Sequence, residues 1–301
     1  MQPPSKKFKG SLDNEEEDTG DQVQEASAEK ETIARLSEPQ RLIDLSDVNK
    51  ETLEKLNIVL KGSLKLKSAI EERIEKSKSS GKDEFWSSTQ MYLHLALLER
   101  LLSRENQPTQ WIDTFLFRAS AMVVPGKCMI INMNEGVPAT IVNPSSLITI
   151  SGYRDYTVVI SSDRFKSLYR SNPQVVFPES LKTSFFVTEA KTRLSALFEY
   201  LPRALCQLYV SAKQLKKETI RGVVTNGYKW QFIILSIHKN GDGASYKFSI
   251  PIKYYVPQDP NPNPIPKQPW PDVIAGVLSD WVQSSFDDLD EDDWFENVGG
   301  R

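Results

Sequence analysis

The run Phe185-Phe186-Val187-Thr188-Glu189-Ala190-Lys191 sets an acid and a lysine at the end of an apolar stretch. Side chains alternate along an extended chain, so Glu189 and Lys191 share a face and Ala190 takes the other. Upstream, Ser151-Gly152-Tyr153-Arg154-Asp155 opens a second apolar run, Tyr156 to Ile160. If the two runs pair as strands, Asp155 meets Glu189 with Lys191 beside them. Two carboxylates and a lysine suit chemistry at phosphorus. Mg²⁺ keeps several waters and takes the rest of its shell from one or two carboxylates and substrate phosphate. Such a metal acidifies a bound water and stabilises the charge of an in-line displacement. Lys191 would orient that water or neutralise phosphate charge. Taken alone, an acid-x-lysine triplet is an ordinary solvated pair worth about a few tenths of a kcal/mol. The surrounding order gives it weight: Gly-x-x-Asp before one strand, Glu-x-Lys ending the next, then a basic amphipathic helix.

That order resembles the PD-(D/E)XK nuclease superfamily, and its fungal nuclease-like branch, over roughly residues 84 to 250. The superfamily core runs α-β-β-β-α-β. Gly152-Tyr153-Arg154-Asp155 is similar to its Asp motif and Glu189-Ala190-Lys191 to its Glu-x-Lys motif. Gln207 is similar to a glutamine that many members carry on the following helix. The tyrosine that members with a Gln-x-x-x-Tyr signature place four residues later is Ser211 here, and the nearest tyrosine is Tyr209. Thr219 to Trp230 resembles the strand-turn-strand after that helix. The resemblance implies a metal-dependent nuclease that hydrolyses phosphodiester bonds of DNA or RNA. Asp155, Glu189 and the Ala190 carbonyl would hold Mg²⁺ or Mn²⁺, Lys191 would position water, and Gln207 would orient the lysine or the water. The alternative is a catalytically inactive nuclease-like module that binds nucleic acid or protein, as an effector or mobile-element product.

The fold expected is α/β (α+β-like): a restriction-endonuclease-like core with a mixed central sheet flanked by helices, plus a helical N-terminal arm. Five segments are expected. Residues 1–38 read as a disordered tail, 39–82 as the arm, 83–256 as the core, 257–285 as a proline-rich strap and closing helix, and 286–301 as an acidic disordered tail. The arm rests on Leu53, Leu56, Val59, Leu60, Leu64, Ile70 and Ile74, which recur mostly at three- and four-residue steps. Further helices are expected over 83–104, 110–122 and 194–217, the last interrupted at Pro202. Asn134-Glu135-Gly136 reads as a hairpin turn between strands 128–131 and 139–142. Asn226-Gly227 reads as a second, stronger one.

Composition narrows the function classes. The net charge is −3, so nucleic-acid affinity has to come from a local basic edge on and after the motif helix, Arg193, Arg203, Lys213, Lys216, Lys217 and Arg221, set against Glu199 and Glu218. Two cysteines, Cys128 and Cys206, suggest a reducing compartment with no disulfide framework. With His94 and His238 the only histidines, a zinc site or a Ser-His-Asp triad is poorly supplied. Glu84 and Glu99 are the available acids for a helix ahead of the sheet. No apolar run reaches the length of a membrane span, and no signal-peptide core is present. An intracellular protein is expected, with Lys6-Lys7-Phe8-Lys9 as a candidate nuclear import signal. The arm and the acidic tail are candidate protein-binding segments.

Overall fold

A computed structural model describes residues 41–102, 108–143, 148–162, 166, 171, 183–190, 196–254 and 268–298. The tail over 1–38, most of the loop between the motif strands, Lys191, Arg193 and the prolines from 257 to 266 lie outside the described residues. The fold is mixed α/β. Among the described residues ten strands form one sheet in the order β1-β4-β5-β6-β7-β8-β2-β10, with β3 on β4 and β9 (Ile252–Lys253) on β7. The strands that matter for the site are β3 (Lys127–Asn143), β4 (Ile148–Ser162), β5 (Phe185–Glu189) and β6 (Thr219–Thr225).

Among the described residues there are six helices: α1 (Lys50–Lys55), α2 (Glu71–Ser79), α3 (Ser88–Leu101), α4 (Thr109–Ala121), α5 (Leu197–Leu215) and α6 (Trp270–Gln283). They divide between two faces, because β5 alternates. Phe185 and Val187 pack with α2, α3, α4 and α6, around Ile74, Leu95, Phe115 and Trp281. Phe186 and Ala190 pack with α1 and α5, around Leu53, Leu205 and Leu208. Both faces of β5 are thus covered, which is why the strand reads as a continuous apolar run.

Around the motif residues the chain runs α4, β3, β4, β5, α5, β6. β3, β4 and β5 form an antiparallel meander, and β6 returns parallel to β5. β7 (Lys229–Ile237) then pairs antiparallel with β6 through the expected Asn226-Gly227 turn. Gly227 has φ +80°, and a Cβ there would sit 2.9 Å from that of Trp111, so the turn needs glycine twice over.

Several expectations are corrected. Residues 41–82 are not a helical arm. β1 (Arg41–Asp44) pairs parallel with β4, and β2 (Ile58–Leu66) lies inside the sheet between β8 (Ala244–Ser249) and β10 (Phe295–Val298). The three- and four-residue spacing came from a short helix followed directly by a strand. Leu53 and Leu56 face the core from α1 and its end, whereas Ile58 and Leu64 do so from β2, and Val59 and Leu60 are exposed. Asn134-Glu135-Gly136 is no hairpin either. β3 runs through it and stays paired with β4, Asn134 merely taking a left-handed φ of 52°. α5 continues as one helix through Pro202. The carbonyl that Pro202 leaves unbonded belongs to Phe198, an exposed residue, where water can serve it.

The acidic end is likewise built into the fold as far as Val298. Asp293 forms a buried ion pair with Arg221 at 2.8 Å and accepts the Trp281 indole N–H at 3.1 Å. Arg221 also donates to the carbonyls of Asp287 and Asp288, both at 2.8 Å, and its guanidinium lies 4.8 Å from the centre of the Trp281 ring. Trp294 and Phe295 are buried, and β10 pairs antiparallel with β2. Acidic composition signals solvation, but nonlocal burial of three residues overrides it here.

Candidate active site

β4 and β5 pair from Val158↔Phe185 to Tyr156↔Val187, and the main-chain ladder ends there. The next bond is made by a side chain. Asp155 Oδ2 accepts the backbone N–H of Glu189 at 2.9 Å. On its other side Glu189 pairs in parallel with Thr225, and the following Ala190 N–H donates to the Thr225 carbonyl at 2.8 Å. Glu189 is therefore fixed between two strands, with the Asp155 carboxylate against its backbone N–H rather than against its carboxylate.

Each carboxylate has its own helix partner. Asp155 Oδ1 accepts from Arg203 Nη2 of α5 at 3.0 Å, with Asp155 only 5% exposed. Glu189 turns to the opposite helix layer, where Oε1 accepts the Thr109 hydroxyl of α4 at 3.0 Å. One helical turn on, Asp113 lies near enough to Glu189 to feel its charge. Burial raises the Asp113 pKa above the ordinary aspartate value, a hydrogen-bonding pull from Tyr156 offsets this in part, and the Glu189 carboxylate raises it further. The Tyr156 hydroxyl lies against these acids without reaching normal hydrogen-bond geometry. Burial, then the charges of Asp113 and Glu189, push its pKa far above that of a free phenol.

Asp113 is the residue that sequence reasoning missed. Glu84 is exposed, and Glu99 accepts from the Trp111 indole at 3.3 Å and the Tyr254 hydroxyl at 3.0 Å, in a packing role. The signal that was available is the four-residue spacing of Thr109 and Asp113, which puts both on one helix face.

Gln207 is brought to β5 but not to the Glu189 side chain. Its Oε1 accepts the Thr188 hydroxyl at 2.6 Å on the α5 face, while Glu189 points to the other. Its buried amide nitrogen has no hydrogen-bond partner among the described residues. Ser211, in the position of the expected tyrosine, donates to the Gln207 carbonyl at 2.6 Å and accepts from Arg154 Nε at 3.1 Å. Tyr209 points elsewhere, donating to the Val142 carbonyl at 3.2 Å. Lys191 lies outside the described residues.

Three residues of the expected basic edge are engaged within the fold. Arg203 is committed to Asp155, Lys213 to the Gly241 carbonyl, and Arg221 to Asp293 in the interior. Both cysteines are free and buried. His94 packs edge-on against Trp86, and His238 Nδ1 lies 3.0 Å from the Asp242 carbonyl, both in structural roles.

As donors for a metal, Asp155 and Glu189 offer hard carboxylate oxygens on adjacent strands. Among the described residues no three His, Cys, Asp or Glu side chains gather as a metal-holding group. No helix among the described residues is long and apolar enough to cross a membrane. No family model and no curated protein matches this chain.

Proposed function

We propose that this protein is a metal-dependent nuclease that hydrolyses phosphodiester bonds of nucleic acid at Asp155 and Glu189. One observation carries the reading: the Asp155 carboxylate seated on the Glu189 N–H at the end of β5. The α4-β3-β4-β5-α5-β6 order around that contact supports it, being the order of the restriction-endonuclease-like core.

Asp155, Glu189 and the Ala190 carbonyl would hold Mg²⁺ or Mn²⁺. When bound, the ion supplies an activated water and charge stabilisation at phosphorus. The protein's own groups do the positioning. Arg203 fixes Asp155 through Oδ1, and Thr109 fixes Glu189 through Oε1. Gln207 pins Thr188, the residue before Glu189, so it is a positioning residue. Lys191 orients the attacking water or offsets phosphate charge. Lys6-Lys7-Phe8-Lys9 would route the protein to the nucleus, where nucleic acid is the partner at hand.

A second reading draws on the same ion pair. Arg203 already balances Asp155, so the domain holds its acid without a metal, as a nuclease-like module that only binds would. Cleavage of labelled single- and double-stranded DNA and RNA with Mg²⁺ or Mn²⁺ separates the two. The nuclease reading expects metal-dependent cutting that Asp155→Ala and Lys191→Ala abolish. Absence of cutting, with no Mn²⁺ binding by calorimetry, sinks it in favour of the binding module.

A further inference from the structure

A cavity of about 1540 Å³ opens where β3 and the start of β4 curl over the end of α5. This exceeds the roughly 300–1,000 Å³ of ordinary ligand pockets. Its floor is a buried polar network. Arg154, 4% exposed, donates to Ser211 at 3.1 Å, to Glu135 at 3.4 Å and to Gln214, with its guanidinium 5.1 Å from the centre of the Phe186 ring. Glu135 Oε2 also accepts the Thr157 hydroxyl at 2.5 Å. Its Oε1 accepts no hydrogen bond among the described residues. At the rim Tyr153 is 66% exposed and Met133 49%.

These features point to one kind of occupant. The described lining holds two carboxylates, Asp44 and Glu135, against one guanidinium, Arg154, which is already paired. Such a lining repels phosphate and accepts a neutral group. An exposed tyrosine offers a flat face for stacking, which suits any base. An open carboxylate oxygen accepts from an exocyclic amino group, as acidic side chains do from cytosine N4. Uracil presents a carbonyl oxygen at that position, and two acceptors repel.

We infer that this cavity binds a nucleobase of the substrate strand, stacked on Tyr153, and that Glu135 selects bases carrying an amino group. The inference rests on the nucleic-acid reading of the site next door. Arg154 and Asp155 are consecutive, and both engage α5, through Gln214 and Arg203. Those two helix positions are about 16 Å apart at a rise of roughly 1.5 Å per residue. A strand cut at Asp155 would leave a base only a few nucleotides away in the cavity.

The test is calorimetric titration of the full chain in EDTA with cytidine, adenosine and uridine. Cytidine and adenosine are expected to bind, with uridine at least about fivefold weaker, the low end of one base contact. Tyr153→Ala should weaken cytidine at least about fivefold and Tyr153→Phe should not. Because Tyr153 is exposed, these variants keep the fold, which circular dichroism checks. Uridine binding as tightly as cytidine, no nucleoside binding, or an unchanged Tyr153→Ala would each overturn the inference. The metal-dependent cleavage assay is read separately. Base binding without cutting would leave the cavity assigned and remove the nuclease, and cutting without base binding would do the reverse.

Discussion

The Asp155 carboxylate takes the place of a main-chain acceptor for the Glu189 N–H, at 2.9 Å, where the β4–β5 ladder ends. A residue proposed for catalysis is thus also part of the sheet. Its removal opens the strand end and strands Arg203 at once.

Asp155→Ala is therefore expected to lower stability by about 2–3 kcal/mol. That is below the roughly 3–5 kcal/mol of a fully buried broken pair, because Arg203 can reach solvent. Urea denaturation measures it. The double variant with Arg203→Met should recover part of the loss. If it is no more stable than Asp155→Ala, the pair is not what holds this corner.

Asp113 predicts a pH dependence. Its pKa lies above 3.8 in the folded protein, so the folded state holds that proton more tightly than the unfolded chain. Stability from this group is then lost as pH rises from about 3.8 through the raised value. Asp113→Asn removes the loss. Its urea midpoint should exceed the wild type's at pH 7, with a smaller or reversed difference at pH 3.5. A variant less stable than wild type at pH 7 would contradict the assignment.

Arg221 and Asp293 give a double-mutant cycle. Both are almost fully buried and 2.8 Å apart. Arg221→Met or Asp293→Ala alone should cost about 3–5 kcal/mol, as each leaves a charge without its partner. The double variant should cost clearly less than the sum. Additive losses would mean that the surrounding carbonyl and indole contacts, not the pair, carry the energy.

Gly222 sets how closely α5 can lie on β6. A Cβ there would stand 2.7 Å from Leu208 Cδ2 and 2.9 Å from the Phe186 carbonyl oxygen. Gly222→Ala is expected to cost about 2 kcal/mol through forced displacement. Because Arg203 and Gln207 ride on α5, the same change should lower any cleavage rate by more than it lowers substrate binding. A variant of unchanged midpoint would show that the helix gives way freely.

Local signals were legible wherever one element decided them. β5, the β6–β7 turn at Asn226-Gly227 and helices α3 to α6 follow from periodicity and turn chemistry. The contact of Asp155 with the Glu189 N–H also follows, since it needs only that two apolar strands pair, but the turn of the Glu189 carboxylate to Thr109 in the other layer does not. What failed depended on distant partners. β2 shows its nature only once β8 and β10 flank it. Asp287 to Phe295 reads as solvated until Arg221 and Trp281 lie opposite. Asp113 gains meaning only when α4 is laid across the end of β5, a placement with no trace in its neighbours along the chain.

The place of β2 also governs how the chain is made. Ile58 finds its neighbour Ala244 about 190 residues later, and Leu66 finds Phe295 later still. At about 5–20 residues per second of synthesis, this strand leaves the ribosome roughly 10–40 s before either flank exists. Through that interval its exposed edges are open to pairing with other nascent chains, so yield in a heterologous host should rest more on chaperone supply and slow induction than on final stability.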